Sequence, residues 1–434
     1  MKTVTSFILF LLGVASLASA QALTLDECQQ KAKENYPLIK KYQLIEQTAA
    51  YNLSNAAKAW LPQFQLNARA TYQSDVTRIP IDLSQLSALG MQFPEIPIPT
   101  KDQYQATIEA SQILWDGGVI RAQQKLTKAG SEVERKQWEV EMYALEERVH
   151  QLFFGILLLN EQLKQNQLLT DELGRNFTTI QNYIENGIAS QSDLDVIKVE
   201  QLNAKQMRTQ LQSARKAFVE MLGIMIGKEL DENTGFSKPD IEQYLVTTGS
   251  TRHPLINRPE IQLFEAQNHL FDSQKSLIQS ASMPRIGLFV QGGYGRPGLN
   301  MLSDQFDPFY IGGVRLSWNF GALYTQKNDL QKIAINKNTV ETQKELFLYN
   351  IGLAVSRENL EIERLRHLMR DDDEIITLRE NIRKSTEAKV ANGAATVTDL
   401  MRDLTHENLA RQTKAAHEID LLIAIYNLKN TTNN

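Results

Sequence analysis

The chain has 434 residues, of which 42% are apolar and 22% charged, and its formal net charge is −5. A mean hydropathy of −0.33 excludes a bundle of membrane-spanning helices, each of which would need about 20 consecutive apolar residues. The mild acidity argues against general nucleic-acid binding, because no basic stripe is available for phosphates. The single cysteine, Cys28, excludes an internal disulfide and any CxxC motif.

The N-terminal segment has the pattern of a secretory signal peptide. Lys2 supplies a positive charge, residues 7–17 form an apolar stretch, and residues 18–20 (Ala-Ser-Ala) match the A-x-A cleavage pattern. The apolar stretch is too short to span a membrane. We therefore expect residues 1–20 to be removed and the exported mature chain to begin at Gln21.

Cys28 lies near this expected N-terminus, where a lipid-attachment cysteine would stand. The preceding residues Leu25, Asp26 and Glu27 do not fit such a site. Thr24 and Glu27 instead have the spacing of a helix capping box, in which each side chain accepts a hydrogen bond from the other's backbone N–H. We therefore expect a helix to begin here.

The sequence contains an internal duplication, which is best sought before any single element is assigned. Two prolines recur 222 residues later, and two glycines recur 204 and 206 residues later. The offset changes across the Pro-rich residues 79–100, so the first copy has a longer loop there. The first-copy positions Pro37, Pro62, Gly117 and Gly187 correspond in order to Pro259, Pro284, Gly321 and Gly393.

After the second proline of each copy, the apolar pattern changes to period two. It predicts strands at about 63–73 and 104–114, and again at about 285–294 and 310–319. Strands of about ten residues can cross a bilayer at a tilt, with apolar side chains outward and polar side chains toward a lumen. The alternative is a half-buried sheet of a soluble protein. The apolar set is Phe64, Leu66, Ala68, Ala70, Tyr72, Tyr104, Ala106, Ile108, Ala110, Ile286, Leu288, Val290, Tyr294, Tyr310, Val314, Leu316 and Trp318.

Two proline-free runs, residues 118–186 and 322–392, predict helices that would each reach roughly 100 Å. In the first run, apolar residues recur at alternating steps of four and three, which is a heptad seam. A second seam is predicted on the returning helix of the first copy. The first seam comprises Trp138, Met142, Leu145, Val149, Leu152, Ile156, Leu159 and Leu163, and the second Met207, Leu211, Ala214, Phe218, Met221 and Met225.

Each long helix is followed by a turn and a returning helix. A glycine just past the helix end and a capping pair three residues apart are typical of such a turn. We expect these turns at 187–192 and 393–398. Their residues are Gly187, Ser190 and Asp193 in the first copy and Gly393, Thr396 and Asp399 in the second.

The predicted fold is therefore mostly α, in the α+β class, with a duplicated unit of helix, two strands and long helical hairpin. The first repeat spans 21–226, a connecting segment spans 227–253, and the second repeat spans 254–434. Four strands cannot close a barrel, and open sheet edges are not tolerated in lipid. Two, three or more chains must then share one barrel, unless the sheet is soluble.

Two other motifs favour no chemistry. Gly293, Gly295 and Gly298 match the dinucleotide-binding pattern GxGxxG, but no helix opens there. The acidic run 371–374 lies inside a long helix and lacks the loop glycine of a calcium site, so we expect a solvated helix face. The six histidines show no metal-binding or catalytic spacing. We expect no catalytic, cofactor-binding or metal-binding residues, and no enzyme activity.

In combination, the motifs resemble the TolC-like outer-membrane efflux proteins over essentially the whole mature chain. The resemblance rests on the opening segment 23–28 with Ala32, Asn35 and Pro37, on the Leu-Pro pair 61–62, on Trp115-Asp116-Gly117-Gly118, and on the two turns. Two positions depart from the pattern, since Cys28 stands where alanine is usual and Asn319-Phe320-Gly321-Ala322 replaces a second Asp-Gly-Gly.

The resemblance implies a homotrimeric channel-tunnel in which a 12-stranded outer-membrane β-barrel continues into a periplasmic α-helical coiled-coil barrel. It implies a passive exit duct for small molecules that docks through a periplasmic adaptor (membrane fusion) protein to an inner-membrane pump of the RND or ABC type. Loops 74–103 and 295–308 would face outward, and the six turn residues would form the inner end, where the adaptor docks.

Two other functions stay open at this stage. The first is the outer-membrane duct of an ABC-driven type I protein secretion system, and the second is a periplasmic coiled-coil scaffold or adhesin. The gate is not assigned. Charged and aromatic side chains near the turns are its nearest candidates, namely Tyr183, Glu185, Arg383, Lys384 and Lys389.

Overall fold

The computed structural model describes residues 22–78, 98–187, 189–240 and 256–433. Three sequence predictions fall wholly or partly outside the described residues. These are the signal peptide at 1–20, the Pro-rich loop over 79–97, and the connecting segment over 241–253.

Each copy of the duplication contains an opening helical segment, then two strands, then a long helical hairpin. In the first copy, α1 (Leu25–Asn35) and α2 (Leu38–Lys58) precede β1 (Gln63–Tyr72) and β2 (Asp102–Trp115), which are followed by α3 (Val119–Glu185) and α4 (Gln191–Ile226). In the second copy, α5 (Pro259–Ala281) precedes β3 (Arg285–Arg296) and β4 (Asp307–Ser317), which are followed by α6 (Ala322–Ala391) and α7 (Val397–Thr432).

The chain divides into two compact units. A helical unit comprises Met1–Lys41, Trp138–Pro259 and Leu346–Asn434, and a sheet unit comprises Tyr42–Gln137 and Glu260–Glu345. No helix in the described part of the chain combines the length and hydropathy needed to cross a membrane.

The first helices of the helical unit are shaped by local sequence. The Thr24–Glu27 capping box is present as predicted and begins α1. Tyr36 has an extended backbone, which residues before a proline favour, so α1 ends and α2 begins on either side of Pro37. Cys28 is fully buried in the core beneath α1, and this burial raises the pKa of its thiol to about 11.

The core of the helical unit joins α1, α3, α4 and α7. The predicted seam on α3 is confirmed over its central part, from Met142 to Ile156, where every seam residue is buried. The predicted seam on α4 is only partly buried, because Phe218 and Met225 pack against the core whereas Met207, Ala214 and Met221 are exposed. The buried face of α4 instead carries Ile197, Ala204, Val219, Leu222 and Ile226.

The sheet unit contains one antiparallel sheet with strand order β1-β2-β3-β4. The pairing keeps even-numbered residues opposite even-numbered residues, as in Leu66 with Ile108 and Leu288 with Val314. A bulge in β2 between Ile113 and Trp115 shifts this register, so Trp115 lies opposite Ile286. The bulge places Trp115 on the face of the even-numbered residues.

Candidate functional site

One face of the sheet is apolar and exposed. Side chains alternate between the two faces of a strand, so the even-numbered residues share this face, and its exposed members span all four strands. Leu66 is 76% exposed and Tyr310 is 81% exposed, which reverses the usual placement of large apolar side chains. The other large exposed residues of this face include Phe64, Ile108, Leu288, Val290, Val314 and Leu316.

The opposite face is polar and more shielded. Thr107 is buried, and Gln103, Gln105, Glu109 and Gln291 are half-buried. The predicted alternation is therefore present. On the central strands β2 and β3 the polar side chains lie on the more protected face, whereas β1 is exposed on both faces and β4 nearly so. This arrangement is the opposite of a water-soluble sheet packed on a core.

Aromatic residues mark both ends of the apolar face. At the end next to the β3–β4 loop, Tyr294 stacks on Phe306 with ring centroids 5.5 Å apart. At the other end, Trp318 lies 4.6 Å from Phe320 between ring centroids. From Pro308 to Trp318 a strand advances about 25 Å along an axis tilted by ~45°. Aromatic girdles at this separation are typical of membrane-embedded strands.

The sequence patterns missed two aromatic residues on the polar face. Phe309 lies across β3, where a Cβ on Gly293 would come within 2.3 Å of its ring. The Arg315 guanidinium lies 4.4 Å from the centroid of the Phe289 ring and 3.0 Å from a carboxylate oxygen of Glu109. The cross-strand register and the glycines opposite these rings are the signals that could have revealed them.

The two hairpin turns of the helical unit have matching backbones. Gly187 has φ +71° and Gly393 has φ +69°, and no atom lies within 4 Å of the position a Cβ would take on either. A side chain would therefore fit at either position, so glycine is required there by the left-handed backbone conformation and not by crowding.

Both returning helices begin with the predicted capping boxes. The hydroxyls of Ser190 and Thr396 accept hydrogen bonds from the backbone N–H of Asp193 and Asp399, and each carboxylate accepts the backbone N–H of its partner. The Thr396 hydroxyl also donates to Asp399 at 2.6 Å and holds the pKa of that carboxyl below its usual value. Arg402, 3.1 Å away, acts in the same direction.

The residues flanking the two turns pack into one apolar cluster. Ile180 and Ile197 from the first hairpin lie in the same cluster as Val390, Val397 and Leu400 from the second. The structure therefore brings all six predicted turn residues to the same end of the helical unit.

A buried ionic network lies behind this cluster. Arg383 on α6 donates to Glu407 on α7 at 2.6 Å and to Glu172 on α3 at 3.3 Å. Glu407 is buried and also accepts a hydrogen bond from Arg411 at 2.7 Å. Burial opposes the charged form of Arg383, but the bond to Glu407 and the nearby carboxylates outweigh it and raise the pKa of the guanidinium. An open cavity of about 300 Å³ adjoins the network.

The other residues considered near the gate have different surroundings. Lys384 is exposed and pairs with Glu380 at 2.6 Å. Tyr183 packs against the apolar cluster, whereas Glu185 and Lys389 are exposed. Of the five candidates, Arg383 lies inside the buried network, and Lys384 is linked to it from the surface through Glu380, which also pairs with Arg411 at 3.3 Å.

The acidic run on α6 is solvated as expected at Asp371, Asp373 and Glu374, but Asp372 is buried. Asp372 is 5% exposed, and its carboxylate lies 2.8 Å from Nδ1 of His417 on α7. Asp373 pairs with Lys414, which also lies on α7. The run therefore joins two helices of the helical unit. Among the described residues, no group of His, Cys, Asp or Glu is placed to hold a metal ion.

One family model matches the first half of the chain. Residues 29–228 match the family model described as outer membrane efflux protein. A search of curated protein sequences gives no significant match. The matched range covers α1 through α4, the first copy of the duplication.

The fold is similar to that of several solved outer-membrane channels. VceC of Vibrio cholerae is 12% identical with a TM-score of 0.69, and the alignment covers 94% of this chain and 96% of VceC. CmeC of Campylobacter jejuni is 12% identical with a TM-score of 0.68, covering 94% of this chain and 85% of CmeC. MtrE of Neisseria gonorrhoeae is 13% identical with a TM-score of 0.65, and the alignment covers 94% of this chain and 89% of MtrE.

The family model that matches the first repeat describes efflux proteins, which are transport proteins and not enzymes. The first repeat therefore matches the outer membrane efflux protein family by sequence, and the chain shares the fold of VceC, CmeC and MtrE.

Proposed function

We propose that this protein is the outer-membrane channel of a three-part efflux system. In this proposal it is a passive exit duct for small molecules, which an inner-membrane pump expels through a periplasmic adaptor. Three copies share one 12-stranded barrel, and their helical units form a tunnel in the periplasm.

The exposed apolar face of the sheet carries this proposal. A bilayer is the solvent that such a face fits, because lipid contact removes the large exposed side chains from water. Between its aromatic ends, the face carries no charged side chain on any of the four strands, since its two charged members, Asp102 and Arg296, lie at the loop end.

Two features support an assembly of several copies. First, β1 and β4 are the outer strands of the sheet, and each has a neighbour on one side only among the described strands. Unpaired strand edges are not tolerated in lipid, so copies must pair edge to edge. Second, α6 carries an exposed apolar stripe at heptad-like spacing, suited to a neighbouring helix. It comprises Leu346, Tyr349, Leu353, Leu360, Ile375, Leu378 and Ile382.

The end of the helical unit that carries both turns is the adaptor-docking end in this proposal. Gly187, Ser190, Gly393 and Thr396 have few neighbours in the structure, so a partner could reach them. Asp193 and Asp399 shape the two turns through their capping boxes.

The channel proposal is tested on the full chain expressed with its leader. We expect the protein in the outer-membrane fraction, a native mass of three chains in detergent, and ion conductance in a planar lipid bilayer. A soluble monomer without conductance would instead support a scaffold or adhesin.

The cargo is tested in cells. Deletion of the gene should increase susceptibility to toxic small molecules and leave the secreted proteome unchanged. Unchanged susceptibility together with a missing secreted protein would replace the efflux function by type I protein secretion. Restoring the wild-type gene is the control for both readouts.

A further inference from the structure

The polar face of the sheet carries an excess of unpaired positive charge. This face has five charged residues, namely Arg69, Glu109, Arg285, Asp307 and Arg315. Arg315 is neutralised by Glu109 at 3.0 Å. The side chains of Arg69 and Arg285 are exposed and have no ion pair or hydrogen bond within the described part of the chain.

The one remaining carboxylate, Asp307, offsets only one of these two arginines, so the strands of this face keep a net charge of +1 from three arginines and two carboxylates. Asp307 is the first residue of β4, and it accepts a hydrogen bond from the Ser303 hydroxyl of the adjoining loop at 3.3 Å. The residue opposite Arg69 is the neutral Gln105, and the residue opposite Arg285 is the neutral Ser317.

The register places Arg69 and Arg285 at opposite ends of the sheet. Arg69 lies opposite Gln105, which lies opposite Gly295 near the end of β3, and Gly295 lies opposite Asp307. Asp307 is therefore in the same row as Arg69, three strands away, whereas Arg285 is the first residue of β3. The two positions are therefore about 33 Å apart along the strand direction. Between them the Glu109–Arg315 pair is the only charged pair on the polar face of the strands. The other residues there are glutamines, Asn67, small residues, the two phenylalanines, Ile113 and Ile311.

We infer that the sheet-lined part of the pore favours anionic solutes through Arg69 and Arg285. The inference depends on the proposed channel, in which this polar face lines the lumen. Rotational symmetry then turns each arginine into a ring of three. Rings of Arg or Lys attract anions, and a low-dielectric wall concentrates their field in the pore.

The test is the reversal potential of the full-length trimer in a planar lipid bilayer under a KCl gradient. Relative to wild type, the double variant R69Q/R285Q should shift the ratio of K⁺ to Cl⁻ permeability toward K⁺, by about two- to threefold. The charge-preserving variant R69K/R285K should keep the wild-type ratio. The matched control is K58Q, which removes one exposed charge from α2, outside the sheet, and should also keep the wild-type ratio.

The outcomes separate this inference from the proposed channel. A double variant that conducts with the wild-type ratio, or that shifts no more than K58Q, overturns the role of the two arginines. Wild-type protein that does not conduct at all overturns the channel. If the double variant does not insert, R69Q and R285Q are measured singly, and each should give part of the shift; no shift in either overturns the inference.

Discussion

The two repeats begin their long helices with different chemistry. Before α3, the buried Asp116 carboxylate accepts the backbone N–H of Gly118 at 2.9 Å and that of Ile120 at 2.6 Å. Before α6, the Asn319 side chain accepts the backbone N–H of Gly321 at 3.1 Å and is exposed. One local fold is therefore reached by a buried charged cap in one repeat and by an exposed neutral cap in the other.

This comparison also corrects the correspondence between the repeats. The sequence match aligned Gly117 with Gly321, which left Phe320 in the place of Asp116. In the structure, Asn319 has the role of Asp116 and Gly321 has the role of Gly118, one residue away from that alignment. The second repeat therefore lacks a counterpart of the left-handed Gly117, whose φ is +70°.

The largest difference in stability should come from replacing the glycine that precedes the long helix in each repeat, Gly117 or Gly321. In Gly117→Ala, the new Cβ would lie 2.4 Å from the Met283 Cβ and would require a left-handed alanine, so we expect a loss of about 2–4 kcal/mol of stability. Gly321→Ala meets only the Asn319 side chain, at 3.2 Å, and should lose less than about 1 kcal/mol. Thermal unfolding of the purified protein, followed by circular dichroism, gives both values. Similar losses would contradict the asymmetry.

The stability lost on removing each helix cap should differ between the repeats by a smaller amount. Asp116→Ala leaves two N–H groups without their charged acceptor and should lose about 2–3 kcal/mol. Asn319→Ala removes one exposed bond and should lose about 0.5–1 kcal/mol. Unfolding by denaturant measures both, and Asp116→Asn serves as the isosteric control. The comparison fails if Asn319→Ala is the more damaging change.

Replacement of the turn glycine should destabilise the two hairpin turns by similar amounts. Gly187→Ala and Gly393→Ala each impose a left-handed alanine without a clash, so each should lose about 1–2 kcal/mol. Hydrogen exchange of the amides in the first turns of α4 and α7 reports the local effect. Unequal effects would show that one turn is held by contacts outside the single chain.

The smallest difference should be the pH response of the two returning helices. The pKa of Asp399 is lowered in the folded protein, so its stabilising effect is present above its unfolded pKa of about 3.9 and is lost as the pH falls through the folded value. Asp399→Asn should remove this acid dependence from the start of α7. Asp193→Asn is the matched variant, and its helix lacks the arginine, because Val196 stands where α7 has Arg402. Hydrogen exchange between neutral pH and about pH 4 distinguishes the two, and an unchanged acid dependence in Asp399→Asn would contradict the assignment.

The local elements were predictable because each leaves a short-range signature. Period-two alternation marks the strands, and capping pairs such as Ser190 with Asp193 mark helix starts. Side-chain partners far apart in the chain leave no such signature. Neither the bond between Arg383 and Glu172 nor the burial of Asp372 against His417 follows from spacing, because both depend on helix packing.

The partial failure of the predicted seam on α4 also reflects helix packing. A heptad pattern shows that a helix has an apolar stripe but not which partner covers it. On α4, the stripe through Met207 and Met221 is exposed in the single chain, while the stripe through Val219 and Leu222 is buried. Periodicity alone could not choose between two stripes on the same helix.

The strand order has a consequence for how the protein folds. The pairs β1–β2 and β3–β4 join neighbouring strands, but β2–β3 joins segments as distant as Tyr104 and Arg296. Closing such a long loop slows pairing, so the two hairpins should form early and the central pair late. Both α3 and α4 lie between β2 and β3 in the chain, so both must be synthesised before the central pair can form. Completion of the sheet is therefore a late event, after most of the chain has been synthesised.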